Sequence, residues 1–305
     1  MKRYEFNYSK DFKCIADKCK HNCCIGWEIA VNKASTKKYE LLKVNDARFE
    51  NCVLNGAFNM QSNGRCPFLD NDNLCHVIKN YGEKALCRTC KTHPRFINFW
   101  SGMTETGLGL YCEEAGRIVL SSKQKMKLSL VKKDNKKPTL SPFEKKAIAF
   151  RNKVVKIIQD RKLTVLERIS SLKPLYDIDL NKKSFDEWLN LFKSLEKLKT
   201  NDFSFDKITA VNFLEPDESF ALNYEQLLSY LAFRHLSRAI DQLDLRVRLA
   251  FVVLSFTMIN AIFLKGDKTF SNFVESVRFY SSEIETSDDN IYKILDQIES
   301  LVSFL

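Results

Sequence analysis

The sequence predicts a mainly α protein in two parts: a turn-rich, cysteine-cluster N-terminal domain followed by a helical C-terminal domain. Three observations lead there. Among 305 residues the helix formers Lys, Leu and Glu are abundant while Gly (9) and Pro (6) are scarce, against an all-β chain and against disorder. All ten Cys and eight of the nine Gly lie at or before Gly116. Beyond that point helix-start signals recur. The expected organisation is a metal domain over 1–120, a linker over 121–140 and a helical domain over 141–305.

The first residues, Met1 to Phe12, are charged and aromatic where a secretory signal needs an apolar stretch, so a cytoplasmic protein is expected. Gly56, Gly64, Pro67, Gly82, Pro94, Gly102, Gly107 and Gly109 punctuate the first part into short elements joined by turns. A basic connector follows, with Lys132, Lys133, Lys136 and Lys137 beside Asn135 and Pro138. Ser141-Pro142-Phe143-Glu144 is a capping box with Pro at the first helical position, and Thr164 to Glu167 and Ser184 to Glu187 repeat the pattern. These open helices over 142–160, 164–172 and 184–199.

Tyr224, Leu227, Leu228, Leu231, Ala232 and His235 have the three-and-four spacing of a buried helix face, which makes His235 a core histidine. Leu245 to Leu264 is the most apolar helix. Its run from Leu249 is short of the ~20 residues a membrane span needs and contains Ser255, Thr257 and Asn260, so it reads as a buried core helix rather than a membrane insertion. Asp267 opens a helix with Phe270, Phe273, Val274 and Val277, and Ser287 caps a last one to about Ser300.

The net charge of +10 suits an acidic partner or simple solubility. The basic residues are dispersed and no nucleic-acid motif accompanies them, so nucleic acid is not expected as a partner.

An even number of cysteines raises a disulfide framework, but those belong to small secreted chains with weak cores. Clustered thiols in a reducing compartment point instead to metal, because several soft sulfur ligands must converge on one small volume. Cys14, Cys19, Cys23 and Cys24 are followed by Ile25-Gly26-Trp27. Adjacent Cys23 and Cys24 cannot face the same way in an extended segment, so they imply a turn or two different roles. A second group is Cys66-Pro67-Phe68-Leu69, Cys75, Cys87 and Cys90, ending in His93-Pro94-Arg95, and Cys112 closes the set. Cys52 stands alone and reads as a packing residue. Zinc wants tight pairs, and only Cys87 and Cys90 form one; His21, His76 and His93 lie near enough in sequence to complete a zinc site. The looser spacings suit iron–sulfur at least as well. The radical pattern C-x3-C-x2-C is absent, since position 26 is Gly.

These residues resemble a wider family described as zinc- or iron-chelating and, more closely, the flagellin lysine-N-methylase family. The resemblance lies in Phe12 to Trp27, Cys66 to Cys75, Gly82-Glu83 through Cys90 to Arg95, Cys112 to Arg117, Tyr230 to His235 and Tyr280 to Asn290. It implies a bacterial enzyme that moves a methyl group from S-adenosylmethionine to lysine ε-amines of flagellin, using a [4Fe-4S] cluster. The carried-over cysteines are Cys14, Cys19, Cys23, Cys24, Cys66, Cys75, Cys90 and Cys112. Departures are His93 in place of Tyr, Glu113 in place of Pro, and Cys87 and Cys52 as additions. Eight thiols exceed the needs of one four-cysteine cluster, so either a second metal exists or some are structural.

Methylating lysine requires its neutral amine although free lysine titrates near ~10.4. Glu105 and Glu114 are candidates to accept that proton, or are surface and capping carboxylates. Arg95 and Arg117 are candidates for a two-pronged grip on the donor's carboxylate, or are salt-bridged on the surface. Trp27 and Tyr111 are candidates to lie against a sulfonium, or fill the core. No G-x-G-x-x-G follows a strand, and Gly107-x-Gly109 lacks the βαβ context, which disfavours a Rossmann methyltransferase. The competing readings are a zinc-folded, non-catalytic protein-binding module and a metal carrier.

Overall fold

The computed structural model describes residues 1–132, 139–197, 205–208 and 215–302, and the fold is mainly α around a small sheet. Lys2–Phe6 forms β1. A loop bearing Cys14 to Cys24 leads to α1 (Lys33–Leu42), the hairpin β2 (Val53–Leu54) and β3 (Ala57–Phe58), and the short helices α2 (His76–Tyr81) and α3 (Arg88–Thr92). The hairpin β4 (Arg95–Trp100) and β5 (Met103–Leu108) then precedes α4 (Glu113–Leu120) and β6 (Leu128–Lys132). Strand order is β4-β5-β1-β6. β1 runs parallel to β5, with Tyr4 opposite Glu105, and antiparallel to β6.

β6 occupies the stretch expected as linker. It pairs with β1 and follows Met126, which is buried, so this part of the connector belongs to the sheet. Lys133, Asn135, Lys136, Lys137 and Pro138 lie outside the described residues.

The helices α5 (Pro142–Ile158), α6 (Val165–Tyr176) and α7 (Phe185–Ser194) each start on their capping box, with Glu144, Glu167 and Glu187 reaching back to the cap N–H. Side-chain oxygens there satisfy N–H groups that a first turn leaves free. α6 runs past the expected end at 172, with Pro174 in its last turn. α7 stops early because Leu195 is extended, and 198–199 of the expected helix lie outside the described residues. α8 (Ala221–His235), α9 (Gln242–Lys265), α10 (Phe270–Tyr280), a π turn (Ser281–Glu285) and α11 (Asp288–Glu299) complete the chain. α10 is capped by Thr269 rather than opened by Asp267, whereas Ser287 caps α11, accepting from the Asn290 N–H at 3.2 Å. By length and composition α9 is apolar enough to cross a membrane, but 89% of its apolar window is buried inside the protein, packed by α6, α8, α10 and α11.

Two hydrophobic cores result. The larger joins Phe6, Leu108, Leu110 and Ala115 to Leu228, Phe251 and Phe279, so the sheet and α4 share a core with the helices. The smaller gathers Tyr39, Phe49, Phe58, Phe68 and Val77 with Cys66 and Cys87. Glu105 of β5 and Arg151 of α5 are both buried and paired through two bonds of 2.6 and 2.8 Å, and Arg151 also donates to Ser237 Oγ at 2.6 Å. This pair pins the sheet to α5. Glu105→Gln leaves a buried guanidinium without its counter-charge and is expected to cost about 3–5 kcal/mol; an unchanged denaturant midpoint would overturn that role.

Candidate metal centre

All ten cysteines are free, which removes the disulfide framework. Local structure aims amide groups at their sulfurs. Ala16 N–H donates to Cys14 Sγ at 3.4 Å and Cys90 N–H to Cys87 Sγ at 3.5 Å. Phe68 N–H points at Cys66, Val77 and Ile78 at Cys75, and Glu114 and Ala115 at Cys112. Cys75, Cys87 and Cys112 are N-cap residues of α2, α3 and α4. Such donors favour the thiolate. Burial opposes them and dominates for several thiols, pushing Cys19 and Cys66 up to about 12 and Cys112 to about 11. Cys87 goes the other way, down to about 6, because Cys90 and the amides of Cys90 and Thr89 donate to it.

The thiols fall into two groups that meet at Cys23. Cys14 lies near Cys23 and Cys112, and Cys19 near Cys112. Glu113 ties this loop down, accepting from the Lys20 N–H at 2.9 Å and the Cys19 thiol at 3.6 Å. Cys24, Cys66, Cys75, Cys87 and Cys90 pack with the smaller core, as does the buried Cys52, and the Cys23 thiol, hydrogen-bonded to that of Cys24 and near Cys66 and Cys75, joins the two groups. Cys87, which the family resemblance leaves out, is fully buried among them. Among the described residues no three His, Cys, Asp or Glu side chains are drawn together tightly enough to hold a metal ion, so the sulfurs are neighbours rather than a closed shell.

The histidines divide likewise. His21 pairs with Glu275 at 2.9 Å and His76 with Asp46 at 2.6 Å. His93 stands beside Cys23 with a buried Nε2 that lacks a partner. Its ring lies 6.2 Å from Trp27 and 5.5 Å from Tyr111, and Trp27 Nε1 donates to the Cys23 carbonyl at 2.6 Å. Gly107 and Gly109 make room for this arrangement: a Cβ would fall 2.4 Å from the Phe96 ring and 2.3 Å from the Tyr111 ring. They are packing glycines.

The expected site residues do not all meet. Glu105 is committed to Arg151, away from the thiols. Glu114 and Arg117 grip each other at 2.6 and 2.7 Å. Arg95 stacks over Phe12 at 5.4 Å, beside the Cys14 loop. The element that sequence reading passed over is a buried network in the helices. Glu285 accepts from Tyr230 Oη at 2.8 Å, Arg234 Nε at 3.1 Å and His235 Nε2 at 2.7 Å. The Arg234 guanidinium lies over Phe96, Tyr111 and Tyr230, and its Nη1 has no partner. Tyr230 Oη also accepts from Leu110 N–H at 3.3 Å, so the network reaches the segment that carries Cys112. The resemblance in Tyr230 to His235 and Tyr280 to Asn290 was its sequence signal.

An alignment of 134 positions that covers 39% of the chain is 33% identical to the protein named lysine-N-methylase in Salmonella typhimurium, covering 32% of that protein. The relative of the same name in Salmonella choleraesuis matches equally. A stretch of 133 residues is 32% identical to the flagellar biosynthetic protein FliU of Salmonella muenchen and covers 76% of it. The chain belongs to the FliU family as a distant member. It spans about a third of the length of the lysine-N-methylases it matches. No family model and no solved structure matches it.

Burial raises the titration of Glu285, but Arg234 and His235 outweigh it and hold the carboxyl at about 2; burial also lowers His235. Both folded-state values lie below their unfolded ones, so the stability they contribute is present at neutral pH. It falls as pH drops below about 6.5, where unfolded histidine protonates, and further from about 4.3 towards 2 through Glu285. Glu285→Gln is expected to lower the melting temperature at pH 7 and to flatten the acid limb of its pH profile. A parallel, undiminished limb would place the acid sensitivity elsewhere.

Proposed function

We propose that this chain is an S-adenosylmethionine-dependent protein-lysine N-methyltransferase of the cytoplasm that acts on flagellin, with an iron–sulfur group among the cysteines. The observation that carries this reading is a set of exposed and half-buried thiols, Cys14, Cys19, Cys23 and Cys112, in a chain of the FliU family. The donor set fits such a group in ligand type and number, and His93 Nε2 is a buried polar atom left open beside it. An iron–sulfur group held there supplies a Lewis-acidic, redox-active centre, and S-adenosylmethionine supplies the methyl.

The chain's own part is binding and proton control. Trp27 and Tyr111 flank His93 with aromatic faces suited to a sulfonium. Arg95 and the open Nη1 of Arg234 are cations beside the same loop, suited to a carboxylate. Glu114 is neutralised by Arg117. Arg95 beside the loop disfavours a lysine ammonium there and so favours its neutral, nucleophilic form.

Anaerobic purification followed by iron, sulfide and zinc analysis, an absorption spectrum and a flagellin assay with S-adenosylmethionine tests the reading. A brown protein with acid-labile sulfide that methylates flagellin lysines is expected, and Cys112→Ser is expected to lose both colour and methylation. A colourless protein with zinc alone, reproducible under anaerobic expression, would remove the iron–sulfur mechanism.

A further inference from the structure

We infer that the cleft between the sheet and α5 binds a single-chain anionic amphiphile, an aliphatic chain ending in a carboxylate, whose charged end is held by Lys125, Lys127 and Lys156. None of the cysteines lines this cleft, and the assignment does not rest on the methyl transfer proposed above.

The cleft has a volume of about 490 Å³, within the ~300–1,000 Å³ of sites that enclose small molecules. Its walls come from β1, β5, the segment that leads into β6, and α5, with Phe233 added from α8. Met103, Met126, Val155 and Phe233 give it a buried apolar lining, and Leu128 and Ile148 stand half-buried beside them. Two of these are methionines, whose flexible thioethers adapt to a chain of varying shape.

Charge at the cleft is one-sided. Among the described residues that line it, Glu105 is the one carboxylate, and both its oxygens are taken by Arg151. Beside that neutral pair stand the exposed Lys125, Lys127 and Lys156. Lys125 and Lys127 flank the buried Met126, and Lys156 joins them from α5. The lysine segment is held in place rather than left to spread its charges. Asn7 Oδ1 accepts from Lys127 N–H at 3.2 Å, and Asn7 N–H donates to the Lys127 carbonyl at 3.1 Å. Gln159 Nε2 donates to the Met126 carbonyl at 3.0 Å, and Gln226 Nε2 to the Gln124 carbonyl at 2.8 Å. An arriving anion therefore meets amines whose backbone is already ordered, which lowers the entropy lost on binding, and like charges gathered at one mouth attract it.

The interior selects the rest of the ligand. Sugars and nucleotides present several donors and acceptors along their length and need partners for them. The deep polar groups here are already engaged: Arg151 Nη1 with Glu105 and Ser237, and Gln159 Nε2 with Met126 and Ser229. Arg151 Nε is buried without a partner, a single donor where a sugar or a base presents many groups. An aliphatic chain requires no such partners. Its burial supplies affinity, and the lysines supply the preference for an anion.

The test is isothermal titration calorimetry of the full chain with decanoate below micelle formation, with decanol and decyltrimethylammonium as neutral and cationic probes of equal length. Decanoate is expected to bind one to one, decanol about 10-fold or more weakly, and the cation not at all. Lys125→Gln, Lys127→Gln and Lys156→Gln together are expected to weaken decanoate about 10- to 100-fold and leave decanol unchanged. Lys153→Gln, also exposed on α5 but outside the lining, is expected to change neither. Ile148→Trp, which fills the cleft, is expected to abolish both. Should Ile148→Trp not fold, the triple lysine variant decides, because it alters only exposed side chains. Failure of decanoate to bind, equal binding of decanoate and decanol, or wild-type decanoate affinity in the triple variant overturns the proposal. Capture of the chain by phosphatidylglycerol vesicles without binding of decanoate also overturns it, and makes the lysines a membrane-surface patch.

Discussion

The buried Glu285 carboxylate is the interaction on which the rest of the arrangement depends. It takes donors from Tyr230, Arg234 and His235 on α8 while sitting in a π turn between α10 and α11. Through Tyr230 it reaches Leu110, and through Arg234 it reaches the Tyr111 ring. A carboxylate so deep is tolerable only with its counter-charge and hydrogen bonds complete. Its demands therefore fix where α8 lies relative to the Leu110 to Cys112 segment. The thiol loop is positioned by an ion pair in the helical part.

The smaller core obeys a different constraint. Tyr39, Phe49, Phe58 and Phe68 pack ring against ring, yet the elements that carry them are a single modest helix, a two-residue hairpin and two short helices. Aromatic packing of that extent stabilises only modestly beyond the area buried. Cys66 and Cys87 are buried among these rings and fill the core as small apolar side chains.

What was legible in the sequence were features encoded by a few neighbouring residues. The three capping boxes fixed their helix starts to within one residue, and the three-and-four spacing from Tyr224 to His235 marked α8. The sheet was not legible, because its strands pair across long separations: β1 alternates charged and aromatic residues, and β6 sits in a lysine-rich stretch whose partner is at the other end of the domain. For the same reason the boundary near residue 120 reads as a change of composition while the core runs across it. Glu105 illustrates the site-level limit. Its partner Arg151 is 46 residues away, so a carboxylate that looked available in sequence is already paired. Cys87 illustrates the converse, a thiol set aside by resemblance whose burial places it among the others.

The pairing of carboxylates bears on the proposed chemistry. Glu105, Glu114, Glu275 and Glu285 each hold an arginine, so their charge is already spent on the fold. In the proposed reaction a lysine approaching the exposed Cys14 and Cys23 meets Arg95, which lies over Phe12, while the buried Arg234 is neutralised by Glu285. A guanidinium so placed disfavours the ammonium form and shifts its equilibrium towards the free amine. Bulk water can then take the proton before the amine reaches the site. In that reading Arg95 also complements acidic side chains around a target lysine, so the charge that lowers the amine's basicity favours the protein surface that presents it.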